Sequence, residues 1–397
     1  MPGKEGEQHM MSSNDARGDV INRMYLVAMA LFLITVLIGI LNGADAVTFN
    51  NDQILTHVHS GTLGWITLAL IASAMWMFGS VDRRLSLALL ILIPIYIAAF
   101  YSGNLPARAI GGTALLVAVV WVFVWVWRAW SANRTTPGLA IALGLTTFTY
   151  GAVVGVLIQI EKATGTSIFT GDAIGAHASA MVFSYLILVA MGLIEWRVLG
   201  TTGLSKGGLI QLLALFSGGL LLTVTLLFLS DEAVQAAGGI YLLLQLIAVG
   251  LFIGRVLPAA MRSDGGRHLK AAALFVIVAI AIFLYLIFLF IQSGDPTAIN
   301  FNLVKASDHA AFIGVITNLV FALILVRTVG AVDRVPAWVA TVGFWAMNAG
   351  LLVFLVGLGQ DIAEVKRIGA PVMGVGILLV LYVLAMRLWG AMRSSDG

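Results

Sequence analysis

The sequence predicts an all-α, polytopic integral membrane protein of twelve transmembrane helices, built as three pseudo-repeated units of four. Three observations predict it. The 397-residue chain is 60% hydrophobic and only 10% charged, with a mean hydropathy of +1.01. Its apolar runs are each close to the ~20 residues needed to cross a hydrocarbon core of about 30 Å. Lastly, 17 of the 22 Lys and Arg fall in alternate connections, leaving Arg108, Lys162, Lys305, Lys366 and Arg367 on the opposite side. That asymmetry puts both termini inside and requires an even number of spans.

In order, the spans are expected near 23–43, 56–78, 84–102, 108–130, 138–160 and 173–195. The second half gives 206–229, 238–257, 270–292, 306–327, 336–358 and 369–391. Residues 1–22 are polar and mixed in charge, and no small-residue cleavage site follows the first apolar run. They read as a cytoplasmic segment ahead of a retained signal-anchor helix. Residues 23–391 form one transmembrane domain and 392–397 a cytoplasmic tail. The connections are too short for a second soluble domain. The net charge of +3 reflects basic cytoplasmic loops and implies no nucleic-acid partner.

Cysteine is absent, which excludes disulfides, thiolate metal sites, iron–sulfur clusters and covalent haem attachment through cysteine. Any metal must rest on His, carboxylate, Met, Tyr or backbone oxygen.

A repeat runs through the chain. The second span opens His59-Ser-Gly-Thr-Leu-Gly64 and exits through Gly79-Ser-Val-Asp82-Arg83. The tenth opens His309-Ala-Ala-Phe-Ile-Gly314 and exits through Gly330-Ala-Val-Asp333-Arg334. A looser copy starts the sixth span at His177, and each copy carries a hydroxyl eight residues after its histidine, at Thr67, Tyr185 and Thr317. His57, His59, His177 and His309 therefore share one depth near the outer interface. His9 and His268 read as solvated cytoplasmic residues. Ionisable groups inside a membrane usually face the bundle interior and serve ions, relays or cofactors. A single interfacial histidine would be unremarkable, but four at one depth in a repeated frame call for a common ligand.

Neutral imidazole suits zinc, copper and iron. A structural zinc site wants four protein ligands and a catalytic one three plus water, whereas a haem needs only two imidazoles on opposite sides of its ring. His57 and His59 project about 200° apart on a helix, so they cannot easily serve one centre.

Twelve short-looped helices, both termini inside and outer histidines on helices two, six and ten resemble subunit I of the haem–copper oxidases and nitric oxide reductases. The resemblance implies that His59 and His309 are the two axial ligands of a low-spin haem, with His177 where a copper ligand would stand. It implies a propionate contact for Lys366 and Arg367, and Arg108 is a further anion-binding residue on that side. The seventh span (Gly207 to Phe228) lacks the family's histidine pair, and Asp308-His309 offers one histidine where the family has two. A complete copper centre is therefore not expected. The Gly254-Arg255-Val-Leu-Pro258 exit of span eight and the His309–Arg327 stretch also resemble membrane haem proteins linked to nitric oxide tolerance.

The expected function is a b-type (non-covalent) haem protein of electron transfer or diatomic-gas handling, with His57 and His177 as secondary haem or metal ligands. A quinol or cytochrome donor, further membrane subunits or a homo-oligomer are the expected partners, and a bacterial inner membrane the expected location. The rival readings are a twelve-helix secondary transporter, which should carry broken helices and midplane charge, and a haem-based gas or redox sensor without turnover. Among other residues, Glu161, Lys162 and Asp172 read as solvated loop charge and Glu195 as a partner of Arg197. Tyr185 reads as a buried, hydrogen-bonded tyrosine, and the paired glycines as sites of close helix approach.

Overall fold

The computed structural model describes residues 4–200, 203–228, 231–293, 300–331 and 335–394, with no strand among them. The side chain of His9 and the pair Asp333-Arg334 lie outside the described residues. Among the described residues, twelve helices are long and apolar enough to cross a bilayer: α1 Arg17–Gly43, α2 Asn51–Phe78, α3 Arg83–Tyr101, α4 Leu105–Ala132, α5 Thr136–Thr164, α6 Ala173–Leu199, α7 Lys206–Phe228, α8 Gln235–Arg262, α9 Gly266–Ser293, α10 Phe301–Arg327, α11 Ala337–Gly359 and α12 Ala363–Arg393. They coincide one for one with the spans read from the sequence.

Helix starts follow local capping chemistry. Asn50 accepts from the backbone of Gln53, whose side chain returns a bond to the Asn50 N–H, so a capping box opens α2. Asp82 accepts from the backbone N–H groups of Arg84 and Leu85 and opens α3, and Asn104 does the same for α4. Asp82 of the repeated Asp-Arg exit is thus a helix cap; its other oxygen accepts from Trp121 on α4.

Burial ranks the helices. Of their most apolar stretches, α2, α6 and α10 bury 78%, 83% and 78%, against 33–61% for the others. These three make the central core. Trp65 of α2 donates to Thr317 of α10 at 3.0 Å, and Tyr185 of α6 donates to Thr67 of α2 at 3.3 Å. The remaining helices surround this core, with α4 packed on α5, α8 on α9 and α12 on α1. Three four-helix units, α1–α4, α5–α8 and α9–α12, thereby close into a ring.

The units share a backbone feature that hydropathy does not reveal. Each central helix changes from α to π geometry near its N-terminal end, over Ser60–Thr67, Ala180–Leu186 and Ala310–Thr317. A π turn carries i→i+5 hydrogen bonds and is frequent at functional sites. In two copies a threonine hydroxyl secures it by donating five residues back, Thr67 to the Thr62 carbonyl and Thr317 to that of Phe312, each at 2.9 Å. The sixth span has Ile187 at the corresponding position, and its π segment ends one residue earlier.

Glycines permit the close crossings expected of membrane helices. A Cβ on Gly350 or Gly376 would run into the backbone of Met373 or Met347, so α11 and α12 touch main chain to main chain. Gly64 and Gly314 belong to the same class: a Cβ on Gly64 would lie 2.8 Å from Leu31, and one on Gly314 would enter the Phe275 ring. They accommodate neighbouring helices.

Candidate functional site: a layer of four histidines

The π segments fix the register of the three units, and that register corrects the alignment read from sequence. His57 lies three residues before its π segment and His177 three before its own. His59 and His309 each lie one residue before theirs. His177 is thus the counterpart of His57 and not of His59, and Tyr185 is not equivalent to Thr67 and Thr317. The sequence alignment failed because it counted from the histidine, whereas the backbone counts from the π turn.

Hydrogen bonding divides the four in the same way. His57 donates from Nδ1 to the Thr35 carbonyl of α1 at 2.9 Å, and His177 from Nδ1 to the Gly151 carbonyl of α5 at 2.8 Å. Each reaches across to the preceding helix. One turn along that helix stands a glycine, Gly39 or Gly155, whose added Cβ would lie 3.1 Å or 2.7 Å from the imidazole Cε1. The rings lie flush on bare backbone. His59 and His309 instead donate to their own helix, to the carbonyls of Leu55 at 2.8 Å and Lys305 at 2.7 Å. Each is backed by a phenylalanine. Phe100 of α3 stacks on His59 at 3.7 Å, with Tyr96 at its edge, and Phe354 of α11 meets His309 edge-on at 5.0 Å.

A carbonyl oxygen can only accept, so every one of these Nδ1 atoms carries the proton. Each Nε2 therefore bears the lone pair, the tautomer of a metal-ligating imidazole whose other nitrogen is held by a backbone carbonyl.

The histidines fall into two neighbourhoods. His57 leans on α1, which packs against α12, and His309 leans on α11, which packs against the same α12. His59 leans on α3 beside Arg108 of α4, and His177 leans on α5, which packs against α4. His59 and His309, expected to pair, lean on different neighbouring helices, α3 and α11. A residue spacing of two, about 200° of helix rotation, sends the two histidines of α2 to opposite sides. No group of three or more His, Asp or Glu that could hold a bare ion occurs among the described residues.

Every residue expected to meet a propionate has a carboxylate partner. Arg108, 3% exposed, pairs with Asp52 at 2.5 Å and donates to the Phe100 carbonyl at 2.7 Å, tying the end of α3 to the start of α2. Lys366 pairs with Asp361 at 2.8 Å and Arg367 with Asp45 at 2.6 Å. Asp361 lies in the turn between α11 and α12, and its bond from Lys366, then the charge of Lys366, holds its carboxyl below the ordinary aspartate range.

Two expectations at the face opposite the histidine layer change. His268 is buried, donating to Asn318 Oδ1 at 2.8 Å within a network that continues to Asn348. A histidine two residues into an apolar helix is carried inward by the helix itself. Glu195 pairs with Arg255 of α8 at 2.7 Å, and Arg255 also donates to Gln211; Arg197 lies instead over Trp76 and Trp196. Both partners were visible in the sequence, but the α6–α8 contact that joins them was not. The glycines beneath His57 and His177, and the half-exposed Asp52 that pairs with buried Arg108, were likewise missed.

Neither the models of known protein families nor the curated proteins contain a significant match to this chain.

Proposed function

We propose that the protein is a b-type haem-binding membrane protein that transfers electrons or handles a diatomic gas such as nitric oxide or oxygen. The observation that carries this reading is the uniform state of the outer histidines. All four have Nδ1–H committed to a backbone carbonyl and Nε2 left as a ligand. They come in twos, which suits axial ligation of a haem and not a closed zinc site.

His309 on α10 and a histidine of α2 would be the axial ligands of the first haem, with His57 the α2 residue on the same side as His309. When bound, the haem supplies reversible one-electron exchange at iron. The chain's own part is to fix ring orientation through the Thr35 and Lys305 carbonyls and to bury the iron among apolar helices. Through the same carbonyls it strengthens the imidazoles as donors. The propionates would enter the outer charge network beside Asp45, Arg367, Asp361 and Lys366. A location in a bacterial inner membrane with both termini cytoplasmic completes the proposal.

Purification followed by oxidised and dithionite-reduced absorption spectra tests it. A low-spin spectrum, diminished or partly converted to high spin by His309→Ala and unaffected by His9→Ala, is expected. A wild-type protein without haem, purified from haem-replete cells, rejects the reading. Turnover with a quinol or cytochrome donor then separates an enzyme from a sensor.

A further inference from the structure

The three-unit ring has three boundaries between units, and each receives two positions from the central helices. One position lies three residues before a π segment and the other lies one before. At the α12/α1 boundary they hold His57 and His309. At the α4/α5 boundary they hold His177 and His59. At the α8/α9 boundary they are Ser307 and Ser179.

The serines keep the bonding pattern of the histidines they replace. Ser307 donates across to the Ala279 carbonyl of the preceding helix α9 at 3.3 Å, as His57 does to Thr35 and His177 to Gly151. Ser179 donates back along its own helix to the Ala176 carbonyl at 3.0 Å. One turn beyond Ala279, where the other boundaries have Gly39 and Gly155, stands Phe283. It stacks on Phe183 at 3.4 Å and meets Tyr241 edge-on. The third boundary therefore has hydroxyls in place of imidazoles and aromatic rings in place of bare backbone. Each of the other two has two imidazoles and one such glycine.

Resting on the haem reading above, we propose that the protein has two separate bis-histidine haem sites, one held by His57 and His309 and the other by His59 and His177. The third, serine-bearing boundary is closed. The second site has its own glycine platform at Gly155, its own aromatic backing at Phe100 and its own cation in Arg108, so it does not depend on the first. His59 and His177 would hold one iron between them, and α2 would contribute one ligand to each site.

The test is haem stoichiometry with single variants of the purified full-length protein. Wild type should carry two haem b per chain. His57→Ala and His309→Ala should each reduce this to one and remove the same low-spin resonance. His59→Ala and His177→Ala should each reduce it to one and remove the other resonance. His177→Met keeps a ligand and a fold: it should raise the potential of the signal that His59→Ala abolishes and leave the other in place. One haem per chain in wild type overturns the second site while leaving the haem reading intact. Loss of one and the same signal from His59→Ala and His309→Ala overturns the pairing. Absence of haem from wild type overturns both readings together.

Discussion

At His177 the imidazole lies on Gly155 with no room for a methyl group, since a Cβ there would stand 2.7 Å from Cε1 and 2.9 Å from Nδ1. Gly155→Ala is therefore expected to break the bond to the Gly151 carbonyl and to lower haem content by up to half without altering any ligand, measured as haem per protein. The histidines were legible because charge-bearing side chains stand out in an apolar sequence. Their hydrogen bonds were not, because Thr35 and Gly151 act through main-chain carbonyls that every residue has. Glu195 and Arg255 illustrate the same limit. Their pair is largely buried, so Glu195→Ala should cost about 3 kcal/mol by stranding the guanidinium. A thermal-shift assay in detergent should show the double variant Glu195→Ala/Arg255→Met losing less than the sum of the singles.

Among the elements, the three π segments decide which histidine meets which. Each inserts a wider turn into an otherwise continuous helix, and no residue periodicity marks it in the sequence. The clue that existed was the pair of threonines, Thr67 and Thr317, able to reward a carbonyl five residues back. Thr317→Val removes that bond and also the acceptor of the buried Trp65 N–H. A loss of about 1–3 kcal/mol is expected from the unsatisfied donor, together with a shift in Trp65 fluorescence on denaturation. The α11–α12 turn behaves differently. Asp361 titrates below the ordinary aspartate range because of Lys366. Its contribution is present above the unfolded-state pKa and is lost only as pH falls through the depressed folded value. The turn should thus stay intact at mildly acidic pH, and protease sensitivity in that turn should rise only at strongly acidic pH; a rise near neutrality would contradict the assignment.

For the molecule as a whole, span number and order were legible because a bilayer demands ~20 apolar residues per crossing, and all twelve helices formed where expected. The threefold ring was half legible: two copies matched by eye, and the third matched only through the π register. Orientation rests on basic residues, so reporter fusions should place the loop after α7 (Glu232) outside and the one between α8 and α9 (Arg262, Arg267) inside. Opposite labelling of either loop would overturn the topology. The central claim is that the four-histidine layer binds haem b, and a pyridine haemochrome assay tests it most directly. Wild type, and a His9→Ala variant, should yield a b-type haemochrome, and the quadruple variant His57→Ala/His59→Ala/His177→Ala/His309→Ala, recovered as a monodisperse membrane protein, should yield none. Equal haem in the quadruple variant and wild type, or none in wild type, would contradict the account.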